Sequence, residues 1–190
     1  MAYRARKMES ADIEAVREID RQCFPCMLPP TSYKTELINP MAHYFVAWDD
    51  ATDSCAGDAM QPFSPLVLGF TGLWLMAGEA HVINLAVRPE YRRRGLGEFL
   101  LVGLIETAAG LKASLITLEV RVSNTAARAL YARYGFTERG VRKRYYVDNR
   151  EDALIMTLDA PHTPECRRML DRLKGQYRLK WGFPAGGFSD

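Results

Sequence analysis

Ile13, Val16, Ile19 and Cys23 recur at the spacing of one helix face, with Ser10 ahead of them as the expected N-cap. That run predicts a helix ended by Phe24-Pro25, and the weak alternation of Tyr3 to Lys7 predicts a strand before it. Pro29-Pro30 permits neither helix nor central strand, so Cys26 to Pro30 reads as loop. A short helix is expected from Ser32 to Ile38, stopped by Asn39-Pro40. His43 to Trp48 reads as a strand and Asp49 to Ser64 as a long polar surface loop. Pro65 to Met76 and Ala80 to Arg88 read as strands joined around Gly78-Glu79.

Leu96, Leu100 and Leu104 form one stripe of a helix predicted from Gly95 to Ala109, with Gly110 as its stop. Ser114 to Arg121 is aliphatic and β-branched, as strands are. Asn124 to Tyr134 reads as a helix capped by Ser123 or Asn124, and Phe136 to Val147 is expected to pair with Ala153 to Leu158 across Asp148-Asn149. The order strand, two helices, three strands, helix, strand, helix, two strands describes an α+β fold with crossover helices on a sheet. Residues 1–160 are expected to form one domain. Residues 161–190 are expected to be an extension, with an amphipathic helix over Pro164 to Gln176 and a loose, glycine-rich end from Trp181.

Of the 190 residues, 48% are hydrophobic and 25% charged, enough to bury a core without metals or disulfides. A formal net charge of +2 gives no reason to require nucleic acid or a membrane as partner, and no apolar run is long enough to cross a bilayer. Met1 to Glu9 does not read as a secretory signal, so a cytoplasmic protein with four free thiols is expected. The C-x-x-C spacing of Cys23 and Cys26 lacks the second ligand pair or the βαβ setting of a zinc or redox site, and no metal is expected. A monomer is the default expectation.

The chemistry concentrates where the predicted strand ending at Arg88 meets the helix opening at Gly95. Between them stand Arg92, Arg93 and Arg94, and Gly95-Leu96-Gly97 opens the helix. Free N–H groups and the positive dipole end of a helix attract an anion. Glycines let a diphosphate approach the backbone, and the arginines add charge. No G-K-S/T follows, which excludes a Walker loop, and the third glycine of the dinucleotide fingerprint is missing.

Arg92-Arg93-Arg94-Gly95-Leu96-Gly97 resembles the Q/R-x-x-G-x-G/A acetyl-CoA loop of the GNAT superfamily. Further segments resemble the ribosomal-protein-alanine N-acetyltransferase (RimI) family: Leu118 to Asn124, Ala129-Leu130-Tyr131, Tyr134-Gly135-Phe136, Arg144-Tyr145-Tyr146 and Glu151-Asp152-Ala153. The likeness is dense from Ala80 to Leu158, thinner from Tyr3 to Met76, and does not reach the tail. It implies a GNAT fold, a mixed and mostly antiparallel sheet flanked by helices. It also implies acetyl transfer from acetyl-CoA, as co-substrate and without a metal, to the α-amino group of a protein N-terminus, that of a ribosomal protein beginning with alanine.

On pattern alone Glu119 is a carboxylate on the less apolar face of its strand, which reads as solvated or paired with Arg121. The resemblance makes it the general base. Asn124, Ala127 and Tyr131 share one helix face. On pattern alone Tyr131 reads as packed with Leu130 and Tyr134; the resemblance makes it the acid that protonates the departing thiolate, with Asn124 on the pantetheine arm. Backbone N–H groups near Leu85, Ala86 and Val87 are expected to meet the pantetheine and the thioester oxygen. With no cysteine in these segments, direct attack in a ternary complex is expected. The substrate groove is expected from the loop around Phe24 to Tyr33 and from Tyr145 and Tyr146 in the last hairpin, where neighbours on a strand face opposite sides and at most one is core. Pro30-Thr31-Ser32 stands where many RimI-like chains carry Pro-Trp-Ser, a departure in the part that sets residue preference.

Three other readings compete. A GNAT enzyme for small amines or lysine side chains would face an amine of pKa about 10.4 rather than about 8. A nucleic-acid module would use Arg92 to Arg94, Arg142 to Arg144 and the basic tail, against a near-neutral net charge. An inactive acyl-CoA sensor is disfavoured because both proton-transfer candidates are present.

Overall fold

The structure, a computed structural model, describes residues 2–24, 31–49 and 66–188. In chain order its elements are β1 (Tyr3–Lys7), α1 (Ile13–Cys23), α2 (Tyr33–Glu36), β2 (Ala42–Asp49), β3 (Gly69–Met76), β4 (Glu79–Val87) and α3 (Leu96–Gly110). There follow β5 (Leu115–Arg121), α4 (Thr125–Arg133), β6 (Thr137–Arg142), β7 (Ala153–Asp159) and α5 (Pro164–Trp181). The expected loop of Asp49 to Ser64 lies, apart from Asp49, outside the described residues, as do Cys26, Cys55 and the Pro29-Pro30 pair. Asp49 itself ends β2, where it faces Tyr3 and accepts the Ala2 N–H at 3.1 Å. Cys23 and Cys166 carry free thiols.

The seven strands form one sheet in the order β1-β2-β3-β4-β5-β7-β6, with β4 and β5 as its only parallel neighbours among the described residues. Alternation along the strands divides the core into two layers. Ala47, Val87, Leu118 and Val120 face one layer with α3, Tyr131 of α4 and the buried residues of α5. Val46, Phe70 and Ala86 face the other, under α1 and Tyr33 of α2.

Several helix boundaries differ from the sequence reading, among them that of α5, which runs to Trp181 and not to Gln176, and the end expected to be loose buries Phe183 and Ala185. Ser10 is not the cap of α1: Ser10–Asp12 forms a 3-10 turn, and the Asp12 carboxylate accepts the Glu9 N–H at 2.8 Å while pairing with Arg6 at 2.7 Å. Glu9 thus caps the 3-10 turn through its capping box with Asp12, and Asp12 stands at the N-cap of α1. Helix α2 is a single turn, shorter than Ser32 to Ile38.

Helix α3 is buried on more than its leucine stripe, since Phe99, Leu101, Val102 and Ile105 are also enclosed. Its outer side is covered by residues 164–188. Lys174 pairs with Glu106, Phe188 lies against Gly103, and Leu170, Leu173, Tyr177, Phe183 and Ala185 join the same core layer.

Burial raises the pKa of the Tyr33, Tyr44, Tyr134 and Tyr177 hydroxyls well above the ordinary 10. A phenol whose folded pKa exceeds its unfolded value stabilises the fold fully below the unfolded value and loses that contribution as pH rises past it. These phenols are therefore expected to ionise together with unfolding above about pH 10, in one steep step. Phenolate absorbance followed beside circular dichroism checks this; gradual titration near pH 10 with the fold intact would contradict it.

Candidate active site

The parallel pairing of β4 and β5 covers only Glu79–His81 against Leu115–Thr117. Opposite β3, Gly72 faces Asn84 and Leu73 faces Val82, which leaves Ile83 as the extra residue of a bulge. A bulge bends its strand and raises its twist. From Val82 to Val87, β4 is laddered to β3 alone, and its other edge is free of β5. Along Leu85, Ala86 and Val87 this edge of β4 therefore carries no ladder to β5.

The gap leads to the loop before α3. Arg88 is buried and structural, donating to the Val67 carbonyl at 2.8 Å and pairing with Glu18 at 2.7 Å. Arg92 is also turned back, donating to the Val87 carbonyl at 3.2 Å and meeting Cys23 Sγ at 3.3 Å. Arg93 (φ 59°) and Gly95 (φ 87°) are both left-handed, which coils the loop tightly. The side chains of Arg93 and Arg94 are exposed, with Arg94 over the Tyr91 ring.

In α3 the first helical hydrogen bond runs from Phe99 N–H to the Gly95 carbonyl, so the amides of Leu96, Gly97 and Glu98 have no carbonyl one turn earlier. The Leu96 side chain is buried in the core. A Cβ on Gly97 would meet one atom, Val87 Cγ2 at 3.9 Å, so that face is open. Free amides, a positive helix end and two exposed guanidiniums suit the diphosphate of a coenzyme.

At the far side of the gap, β5 buries Ile116, Leu118 and Val120 and turns Glu119 to the opposite face. Glu119 pairs with Arg142 at 2.9 Å, not with Arg121, and its side chain is 26% exposed. Arg121 is engaged elsewhere: it holds Asp148 at 2.9 Å and Glu151 at 3.2 Å, and its guanidinium stacks 3.8 Å above the Tyr146 ring. Ser123, donating to Glu151, is the main cause that holds that carboxyl down at about 2.

Tyr145 and Tyr146 do not sit on a strand. Arg144 (φ 53°) breaks β6, its N–H and the Lys143 ammonium both held by Asp152, and the two tyrosines lie in the loop before β7. Their rings meet edge to face at 5.2 Å; Tyr145 is 46% exposed and Tyr146 half-buried.

Tyr131 is buried on α4, its ring against Phe136, and burial followed by the field of Tyr146 pushes its hydroxyl up to about 12. Tyr146, also pushed up to about 12 chiefly by burial, feels Glu119 as well. Tyr146 therefore stands within electrostatic reach of both expected proton-transfer residues.

One expected site residue, Tyr33, is placed differently. Tyr33 is not on a surface groove: it is 0% exposed, edge-on to Tyr44 and Phe70, and accepts from Asn84 Nδ2 at 3.4 Å. Asn124 caps α4, as one of the two residues expected there, with its Oδ1 accepting the Ala127 N–H at 3.2 Å. The sequence reading missed the Arg121 clamp, for which the acidic run from Asp148 to Asp152 was the available signal. No group of three or more potential metal ligands occurs among the described residues, and no helix there is long and apolar enough to cross a membrane.

A parallel pair of strands that separates early, beside a helix opened by a left-handed glycine, gives the chain an open strand edge next to a helix start. Residues 13–136 match the Acetyltransferase (GNAT) family, and the chain belongs to it. It is 38% identical over 152 residues, 80% of this chain and 91% of the other, to a Bacillus subtilis protein named as a putative ribosomal protein bS18-alanine N-acetyltransferase. It is 49% identical over 82 residues, 42% of this chain and 55% of the other, to the ribosomal protein bS18-alanine N-acetyltransferase of Escherichia coli K12. The crystal structure of the Escherichia coli ribosomal-protein-S18-alanine N-acetyltransferase superposes with a TM-score of 0.66 at 31% identity, covering 83% of this chain and 94% of that one. The chain is an N-acetyltransferase of this fold.

Arg121→Gln removes the cation that both stacks on Tyr146 and gathers Asp148 and Glu151. Hydrogen exchange over 143–152 is expected to accelerate by about tenfold or more while the amides of β5 and α3 keep their protection. Unchanged exchange in that loop would show that the clamp does not hold it.

Proposed function

We propose that the protein transfers the acetyl group of acetyl-CoA to the α-amino group of a protein N-terminus, that of a ribosomal protein beginning with alanine, in the cytoplasm. The relatives named for bS18-alanine acetylation support the substrate class. The reading is carried by one observation: β4 and β5 pair only over Glu79–His81 and Leu115–Thr117, which leaves the end of β4 unladdered on that side next to the start of α3, with Glu119 further along β5.

The loop over Arg92 to Gly97 binds the diphosphate with the Gly95, Leu96 and Gly97 amides, helped by Arg93 and Arg94. Arg92 acts from behind by holding the end of β4. The open edge at Leu85 to Val87 pairs with the pantetheine amides and offers N–H donors to the thioester oxygen. Asn124 adds a side-chain donor at the arm.

Glu119, held by Arg142, accepts a proton from the incoming ammonium, directly or through water, which frees the amine's electron pair to bond the acetyl carbon. As the carbon–sulfur bond breaks, Tyr131 donates its proton to the sulfur; with a pKa of about 12 it is protonated at neutral pH. Both transfers occur in a ternary complex with no acyl-enzyme. Tyr145, exposed in the loop before β7, lines the entrance for the peptide.

Glu119→Gln and Tyr131→Phe are each expected to lower kcat by about 10²–10⁴, with the Kd for CoA nearly unchanged. Calorimetry with CoA and turnover on a short peptide beginning with alanine measure the two effects, with spermidine and an N-blocked lysine peptide as competing acceptors. Wild-type rates in both variants, or faster acetylation of the competitors, would overturn the assignment.

A further inference from the structure

Gly95 closes the loop with φ 87°, and the face of its Cα that a side chain would occupy is covered by an indole. A Cβ there would stand 2.8 Å from Cε2 and 2.9 Å from Cδ2 of Trp181. Trp181 is the last residue of α5, outside the span matched to the family, 13–136.

The two carbonyls beside this contact are held by tyrosines packed on the same arm. Tyr177, one turn before Trp181, donates its hydroxyl to the Gly95 carbonyl at 3.4 Å, and Tyr3 donates to the Arg94 carbonyl at 3.1 Å. Phe183 stands edge-on to both tyrosine rings, at 5.0 Å from Tyr3 and 5.5 Å from Tyr177. A trans peptide points its carbonyl and the following N–H in opposite directions. Drawing the Arg94 and Gly95 carbonyls onto tyrosine hydroxyls therefore turns the Gly95 and Leu96 N–H groups away from those hydroxyls, to the side an anion approaches.

The arm is tied down at its far end as well. Gly182 (φ 83°) reverses the chain after α5, the Gly187 N–H reaches Glu106 at 2.9 Å, and Phe188 packs on Phe45 with ring centres 4.5 Å apart. The residues that steer the loop thus sit on a support anchored along α3.

We propose that Trp181, with Tyr177, is a positioning residue for the coenzyme loop, so that the segment after β7 sets the peptide planes that bind the diphosphate. The inference rests on reading the loop as the acetyl-CoA site. It assigns Trp181 to coenzyme affinity and not to the chemical step.

Trp181→Ala is expected to raise the Kd for CoA and the KM for acetyl-CoA about tenfold, a change of roughly 1.4 kcal/mol, while kcat stays within about twofold. Trp181→Phe is expected to restore most of the affinity. A folded Trp181→Ala with the wild-type Kd would overturn the inference. Should that variant fail to fold, Tyr3→Phe with Tyr177→Phe keeps the ring packing and removes both hydroxyls. A several-fold weaker Kd for CoA in this pair supports the inference, and an unchanged one overturns it. Failure of the wild type itself to take up CoA would instead remove the coenzyme reading of the loop, an outcome distinct from equal binding by wild type and variant.

Discussion

The candidate site depends on one pairing that stops early. Two parallel strands normally continue their ladder until one of them ends, because diverging backbones leave N–H and C=O groups without partners. Here β4 and β5 separate after His81 and Thr117, and the bulge at Ile83 bends β4 at that point. Gly72 opposite the bulge has no room for a side chain, since a Cβ there would stand 2.2 Å from the Tyr44 ring. The separation converts a sheet interior into a wedge with an open amide edge, flanked by the start of α3 on one side and by Glu119 on the other. A ligand with its own amides can replace the missing strand.

Charge is arranged around that wedge so that the arginines do different work. Arg88, which is buried, and Arg92, which is exposed, each donate to a backbone carbonyl and brace the end of β4. Arg93 and Arg94 face outward, where an anion would meet them. Across the gap, Arg142 holds Glu119 and lies over Tyr145, while Arg121 holds the acidic turn and lies over Tyr146. Each tyrosine of the loop is thus placed by a cation that is itself placed by carboxylates. This is how a loop with little buried apolar surface keeps two aromatic rings at the mouth of the site.

Much of this was legible from local pattern. The element order through β7, the α+β class and the alternation that turns Glu119 away from Leu118 and Val120 depend on periods of 3.6 and 2, which sequence displays directly. The helix start at Gly95 was legible too, because the glycines that open it are neighbours along the chain. Partner choice among charges was not. Glu119 and Arg121 are near in sequence, yet each pairs with a residue more than twenty positions away, on β6 or in the loop before β7. Tyr33 read as a surface aromatic because burial depends on what packs over it, here Tyr44 and Phe70 from two other elements.

By itself, then, the sequence determined the elements, their order and the chemistry available at the β4–α3 junction, all consequences of interactions between residues close along the chain. Only the tertiary structure decided which arginine meets which carboxylate, that the strands part at the bulge, and that Trp181 closes over Gly95. Those outcomes depend on distances between residues that are far apart in sequence, and no periodicity records them.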